Sequence, residues 1–294
     1  MPHPRLEVTC RPARQADTPE VLELTSTIWE GHDYVPHVWD EWLADPAGQL
    51  AVAEHTGRVV GLSKLTRIRP GEWWLEGLRV HPEFEGRGVA AQLHEYLVED
   101  YWRQNGSGQL RLATGSHRLP VQHLCERTGF HKVGEYTSFT APALDQQVTH
   151  YHPLAETEAA EAIEVVLHST SLHLVYGLMD LGWKWVTPAA AYLEEAARQG
   201  KAWWWGGKRG LLAITDDSGE DGTLSPLVAI LACPVDSLVE GLLDYRRLAY
   251  QLGYQQADWV ASLHSDLQPL LAAAGFLRDW DGSVFVYEKD HPGD

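Results

Sequence analysis

The stretch "LRVHPEFEGRGVAAQL", Leu78 to Leu93, decides how the chain is read. It runs from the end of a strand through a Pro to two glycines one residue apart, then into a helix. This layout builds an anion site. Successive backbone N–H groups and the first helical turn converge on one spot, the helix dipole reinforces them, and glycine lets a phosphate approach with no Cβ in the way. Glu85 is out of place there, because a carboxylate about 5 Å from a phosphate costs about 3 kcal/mol at an effective dielectric of about 20. Its side chain is therefore expected to face solvent. The backbone donors at Gly86 to Ala90 and the cation of Arg87 survive that arrangement.

Other glycine loops fit less well. "GRGVAA" satisfies G-x-G-x-x-A, but a dinucleotide loop places its first Gly directly off a strand and an acid about twenty residues on. Here Pro82 and the residues after it intervene, and the later region reads "NGSGQL". A phosphate loop of the Gly-Lys-Ser/Thr type is absent from the segment.

Working outward, 294 residues allow two domains of about 150 residues each. The net charge of -18 argues against nucleic acid, which is bound through lysines and arginines that displace counterions. Residues 1–150 hold 14 basic and 20 acidic side chains and residues 151–294 hold 9 and 21, so a polyanionic ligand belongs to the first half. Three cysteines without a CxxC pair indicate neither a disulfide framework nor a zinc site. No run reaches the ~18 to 20 apolar residues of a membrane span, and the N-terminus lacks a leader's apolar core. A cytoplasmic protein with no membrane or nucleic-acid partner and no metal is expected.

The chain reads as a duplication. "VTCRPARQADTPEVLELTSTIW" from Val8 is echoed by "VTHYHPLAETEAAEAIEVVLHST" from Val148, and "LPVQHLCERTGFHKVGEY" from Leu119 by "LQPLLAAAGFLRDWDGSVFVY" from Leu267. The boundary is placed in "TAPALDQQ", giving domains 1–145 and 146–294. In the first, strands are predicted at Leu6–Arg11, Gln49–His55, Val59–Arg67, Trp73–Val80, Leu110–Thr114 and Lys132–Phe139. Helices are predicted at Thr18–Trp29, Gly88–Trp102 and Leu119–Thr128. The fold class is α/β (α+β), two tandem domains, each a mixed sheet flanked by helices. In the second half a hairpin turns at Gly206–Gly207, and Trp203 and Trp205 share one strand face, where burial is expected over ligand stacking.

"LEGLRVHPEFEGRGVAAQLHEYL", with the later "CERTGF" and this element order, resembles the GNAT superfamily of N-acetyltransferases over residues 5–140. The family's loop runs Arg/Gln-x-x-Gly-x-Gly/Ala, which puts Glu85 at the Arg/Gln position, Gly88 at the first Gly and Ala90 at the last. "GHDYVPHVWDEWLADP" followed by "LEGLRVHP" further resembles the vertebrate histidine N-acetyltransferases and implies an amino-acid amine as acceptor.

The resemblance implies that Glu85, Gly86, Arg87, Gly88, Val89 and Ala90 form the loop on the pyrophosphate of acetyl-CoA. It implies that Leu78, Arg79 and Val80 pair with the pantetheine, that the Val80 N–H takes the oxyanion, and that Arg118 stands where the family has a cofactor-contacting Asn. Glu76 matches a Glu common in the family and is a candidate base, with acceptor binding and structural pairing as open alternatives. Cys125 stands where many members have a Tyr that protonates the CoA sulfur; core packing competes with that role. His32, Asp33, Tyr34 and Glu76 are the acceptor-side candidates, since carboxylates and aromatics suit a cationic amine. His32, Asp33 and His37 could also suggest a metal, but their spacing fits no helical His pair.

The second half has a Pro-Val-Asp turn where the glycines would be and reads as degenerate. The expected function is transfer of acetyl from acetyl-CoA to a primary amine of a small molecule. The chain is expected to be a monomer acting as an intramolecular pseudo-dimer, or a homodimer. The alternatives are a non-catalytic CoA-binding or acyl-CoA-binding module, and a second domain that takes a small apolar ligand among its tryptophans.

Overall fold

Apolar spacing and proline placement set the first elements. The computed structural model describes residues 4–26, 28, 32–147, 150–218 and 224–293. In chain order come β1 (Thr9–Pro12), α1 (Thr18–Thr25), α2 (Val35–Ala44), β2 (Gln49–His55), β3 (Arg58–Arg69), β4 (Glu72–Val80), α3 (Val89–Glu95), α4 (Arg103–Asn105), β5 (Gln109–Gly115), α5 (Leu119–Arg127) and β6 (His131–Pro142). There follow β7 (Tyr151–Pro153), α6 (Ala159–Leu167), β8 (Met179–Asp180), β9 (Trp185–Val186), α7 (Ala190–Arg198), β10 (Ala202–Trp205), β11 (Gly210–Ser218), β12 (Leu224–Ala232), α8 (Leu238–Gln251), β13 (Gln256–Ser262), α9 (Gln268–Ala273), β14 (Leu277–Arg278) and β15 (Val284–Asp290). Contacts gather these into two units that interleave in sequence. The first holds Met1–Leu112, His123–His131 and Glu288–Asp294, the second Ala113–Gln122 and Lys132–Tyr287.

In the first unit the sheet order is β1-β2-β3-β4-β5, antiparallel except for the parallel pair β4–β5. Leu50 to Ala53 of β2 are all buried, as expected of a strand covered on both faces. One face carries α1 and α2. Each starts with a Pro in its first turn, where a missing N–H costs nothing. Val21 and Leu24 of α1 and Val35, Trp39 and Trp42 of α2 recur at helical spacing and pack with Leu50, Val52, Val59 and Leu62. Each fully buried aliphatic side chain there contributes about 1.5–3 kcal/mol. The other face carries α3. A Cβ at Gly61 would stand 3.1 Å from Leu93 and 3.2 Å from Val89, so the glycine admits the helix.

In the second unit the order is β6-β13-β12-β11-β10-β7, with β12–β13 parallel. The β10–β11 hairpin turns through Gly206 and Gly207, both at positive φ. Trp203 and Trp205 lie in the core of this unit, in line with their shared strand face. Trp204 is buried too, its Nε1 donating to Glu158 Oε2 at 3.0 Å.

Several boundaries differ from the sequence reading. The first strand begins at Thr9 and not Leu6, because the Leu6 N–H is drawn to the Arg87 carbonyl at 2.9 Å and the Val8 N–H to Gln92 Oε1 at 3.2 Å. "HVWDEWL", outside the helices predicted from the sequence, lies in α2. The helix predicted to end at Trp102 changes to π winding over Tyr96–Trp102 and continues to Asn105. Thr140 to Pro142, read as linker, close β6 by pairing with β13. Trp29, the predicted end of the first helix, and Val148, the start of the second-half strand, lie outside the described residues.

Candidate active site

The site is built on an irregularity in β4. The β3–β4 ladder pairs Leu62 with Arg79 and Lys64 with Glu76, so Gly77 and Leu78 both stand opposite Ser63. In an unbroken strand Glu76 and Arg79, three residues apart, would face opposite sides of the sheet. The extra residue returns both to the side of α1 and α2. Gly77 permits this with φ of +66°, and a Cβ there would lie 2.5 Å from Cη2 of Trp42. Ser63 Oγ donates to the Glu76 carbonyl at 3.1 Å, satisfying backbone that the bulge takes out of the ladder.

Beyond the bulge, Arg79 and Asp33 form a bidentate pair. Nε donates to Oδ2 at 2.8 Å and Nη2 to Oδ1 at 2.9 Å, and both side chains are buried. Arg79 Nη1 also donates to its neighbour's carbonyl, that of Leu78, at 3.1 Å. Asp33 Oδ1 accepts from the Val35 N–H at 3.1 Å and so holds the start of α2. The Tyr34 ring lies 5.3 Å from the Arg79 guanidinium and edge-on to Trp42. Part of Tyr34 is exposed, but its hydroxyl faces inward. Burial, and next the charge of Glu76, push that hydroxyl up to about 12. Glu76 is half-buried, and its Oε1 accepts from Thr66 Oγ1 at 2.6 Å.

Thus Glu76, Asp33 and Tyr34 come together. His32 is exposed, as are His37 and Asp40, and no group of three or more His, Cys, Asp or Glu among the described residues has metal-binding geometry. Asp33 meets a cation, but that cation is the protein's own Arg79.

After Val80 the chain makes a tight turn over Pro82–Phe84, then passes Gly86 at φ +70° and Gly88 at φ +82° before α3 begins at Val89. Left-handed residues in alternation curve the backbone so that successive N–H groups face one concavity, and the first turn of a helix leaves its N–H groups without intrahelical acceptors. Glu85 is exposed, and Arg87 is half-buried with its guanidinium 5.8 Å from the Phe84 ring. Gln92, a residue the sequence did not single out, anchors the loop from behind: its Nε2 donates to Leu6 at 2.7 Å and Gly88 at 3.2 Å. The ladder from β4 to β5 covers only Glu72 to Trp74, so Leu78 to Val80 lie beyond it.

A match to the Acetyltransferase (GNAT) family spans residues 18–130, which contain this loop, the bulged strand and Glu76. Residues 18–130 thus carry the likeness to the GNAT acetyltransferase family. The GNAT segment is similar to the probable N-acetyltransferase 16 of Homo sapiens, 33% identical over 113 residues, or 38% of this chain and 31% of that protein. It is also similar to the histidine N-acetyltransferase of Xenopus tropicalis, 28% identical over 139 residues, or 47% of this chain and 43% of that one. The chain thus spans less than half the length of these curated relatives. The GNAT fold extends over both halves. A tandem GNAT protein from the clavulanic acid biosynthesis pathway superposes with a TM-score of 0.59 at 16% identity, covering 98% of this chain and all of that one.

The second unit has no comparable glycine loop at the matching strand-to-helix step. Its strand β12 leads through Pro234 and a turn at Val235–Ser237 into α8 without a positive-φ residue. The Cys233 N–H is taken by Ser171 Oγ and the Val235 N–H by Thr170 Oγ1, both at 3.0 Å, so these donors already have partners within the unit. Arg118 belongs to the second unit, where its carbonyl accepts from Val121 and Gln122 at the start of α5. Cys125 belongs to the first unit and has no exposed surface; burial pushes its thiol up to about 12. No helix among the described residues is long and apolar enough to cross a membrane.

Proposed function

We propose that the first unit transfers the acetyl group of acetyl-CoA to a primary amine of a small molecule, with an amino acid the leading acceptor class. The observation that carries this reading is the bulge, which sets Glu76 on the α1–α2 side of the same strand whose end, Leu78 to Val80, runs into the glycine loop. The loop N–H groups from Gly86 to Ala90 would receive the pyrophosphate and the strand end the pantetheine amides. The amine nitrogen attacks the thioester carbonyl carbon, the C–N bond forms, and the C–S bond breaks. Glu76 accepts the amine proton, directly or through water, and the Val80 N–H stabilises the oxyanion. CoA leaves as the thiolate and is protonated by solvent, because the Cys125 thiol is enclosed and a weak acid.

Two substitutions bear on these assignments. Cys125→Ala is expected to leave kcat within about twofold and to lower stability by about 1 kcal/mol. A kcat loss beyond tenfold would restore the thiol as the acid. Glu85→Arg is expected to tighten acetyl-CoA about fivefold by calorimetry, since reversing an exposed charge near the phosphates is worth about 1 kcal/mol. No change would mean that the side chain does not sense them.

A non-catalytic CoA-binding module is the second reading, favoured by Glu85 in the family's cationic position and by the enclosed Cys125. Thiol release from acetyl-CoA with amino acids, polyamines and aminoglycosides separates the two. Release that rises with an amine supports transfer; binding of acetyl-CoA with no amine-dependent release supports the module. We read the duplicated half as a covalent substitute for a dimer partner, to be checked by the solution mass.

A further inference from the structure

We propose that the Asp33–Arg79 fork is a positioning device, which locks the loop before α2 onto the bulged end of β4 and fixes Tyr34 beside Glu76 as one wall of the acceptor site. The proposal rests on the acetyltransferase reading of this unit, which gives Glu76 its role as base.

A buried ion pair is an expensive way to hold two elements together, since apolar residues of similar volume usually stabilise as well or better. What a bidentate pair adds is direction. The planar guanidinium meets both carboxylate oxygens in one plane, at 2.8 and 2.9 Å, and this fixes rotation as well as distance. Every further contact of the pair carries that direction toward the site. Asp33 Oδ1 also accepts from Val35 and sets the first turn of α2, the helix that brings Trp42 onto Gly77. Arg79 donates to the carbonyl of Leu78, within the strand end assigned to pantetheine. The Tyr34 ring rests on the guanidinium at 5.3 Å, and its hydroxyl lies against the Gly77 backbone within the field of Glu76. The charged groups that act on that hydroxyl are Glu76, Arg79 and Asp33. The bulge is a precondition, because without it Arg79 would face the α3 side and could not reach Asp33. Asp33 and Arg79 are thus positioning residues that act through Tyr34, and neither need touch acceptor or acetyl-CoA with its side chain.

The test uses the full chain with Asp33→Asn, Arg79→Lys, and a double Asp33→Leu, Arg79→Met variant. The readouts are acceptor KM, acetyl-CoA affinity by calorimetry, thermal melting, and the titration of Tyr34 followed by NMR of ring-labelled tyrosine. In the two single variants, acceptor KM for the best amine of the panel is expected to rise at least tenfold while acetyl-CoA affinity stays within about twofold. The Tyr34 hydroxyl, which burial pushes up to about 12, is expected to titrate nearer the ordinary value of about 10 in these variants than in the native chain. The apolar double variant is expected to recover melting temperature without recovering KM or the Tyr34 titration. If all three variants change only the melting temperature, with KM and Tyr34 unaltered, or if the double variant recovers everything, the positioning role is overturned. If the native chain transfers acetyl to no amine but Tyr34 still shifts in the variants, the clamp stands and the acetyltransferase reading falls.

Discussion

Glu76→Gln is expected to lower kcat by about 100- to 1,000-fold while acetyl-CoA affinity stays within about twofold. A positioned base is worth about 10²–10⁴ in rate, and some of that persists when water can accept the proton instead. Glutamine keeps the size of the side chain and can still take the Thr66 hydrogen bond that Glu76 Oε1 accepts at 2.6 Å, so the local structure has little reason to change. The side chain sits before the bulge, on the α1–α2 side, while the proposed cofactor contacts begin at Leu78, within it. The loss should therefore appear in kcat and not in cofactor binding. Single-turnover and calorimetric measurements on the same preparation separate the two. A kcat that stays within about threefold of the native value would remove Glu76 as the base.

Gly77→Ala is expected to cost about 3 kcal/mol of stability and to lower activity further than the loss of folded protein explains. A side chain in the left-handed region costs of order 1–3 kcal/mol, and overpacking against a filled site adds about 1–3 more. Here the φ is +66° and the new Cβ would lie 2.5 Å from Trp42, whose ring is itself packed in the core of the first unit. The chain can relieve this by abandoning the bulge, which turns Arg79 away from Asp33, or by moving α2, which carries the wall of the site. Urea unfolding measures the first effect as a lower midpoint at unchanged slope, and acceptor KM measures the second. Adding Trp42→Ala to the variant should relieve the overlap but not the φ strain, so stability should not return to the native level. A loss below about 1 kcal/mol in Gly77→Ala would mean that the bulge does not depend on glycine.

These two positions also show how far the sequence could be read. The glycine loop was legible because its signal is local: strand, Pro, glycines and helix follow one another within sixteen residues, Leu78 to Leu93. Glu76 is singled out by the family resemblance, which places a Glu four residues before Val80. The fork was not. Asp33 and Arg79 are 46 positions apart, and which side Arg79 faces depends on a register that no periodicity encodes. Gly77 inside an otherwise apolar strand was the available clue, since an isolated strand glycine often marks a bulge. For the same reason the sequence alone offers Asp33 as a carboxylate for a cationic amine, whereas in the fold it also holds a guanidinium from β4. The histidines and acids of α2 hide the helical spacing of Val35, Trp39 and Trp42, although Pro36 in its first turn signals a helix start. Cys125 could be placed at a catalytic position by likeness, but its enclosure follows from packing that appears only in the fold.

The central claim, that the first unit moves an acetyl group from acetyl-CoA to an amine, is tested most directly by measuring CoA thiol and acetylated amine in one reaction across the amine panel. The expected result is that at least one amine is acetylated in equal amount to the CoA released, and that Glu76→Gln slows both together by about 100- to 1,000-fold. Acetyl-CoA that binds but is never consumed in the presence of any amine, in native protein as in Glu76→Gln, would contradict it.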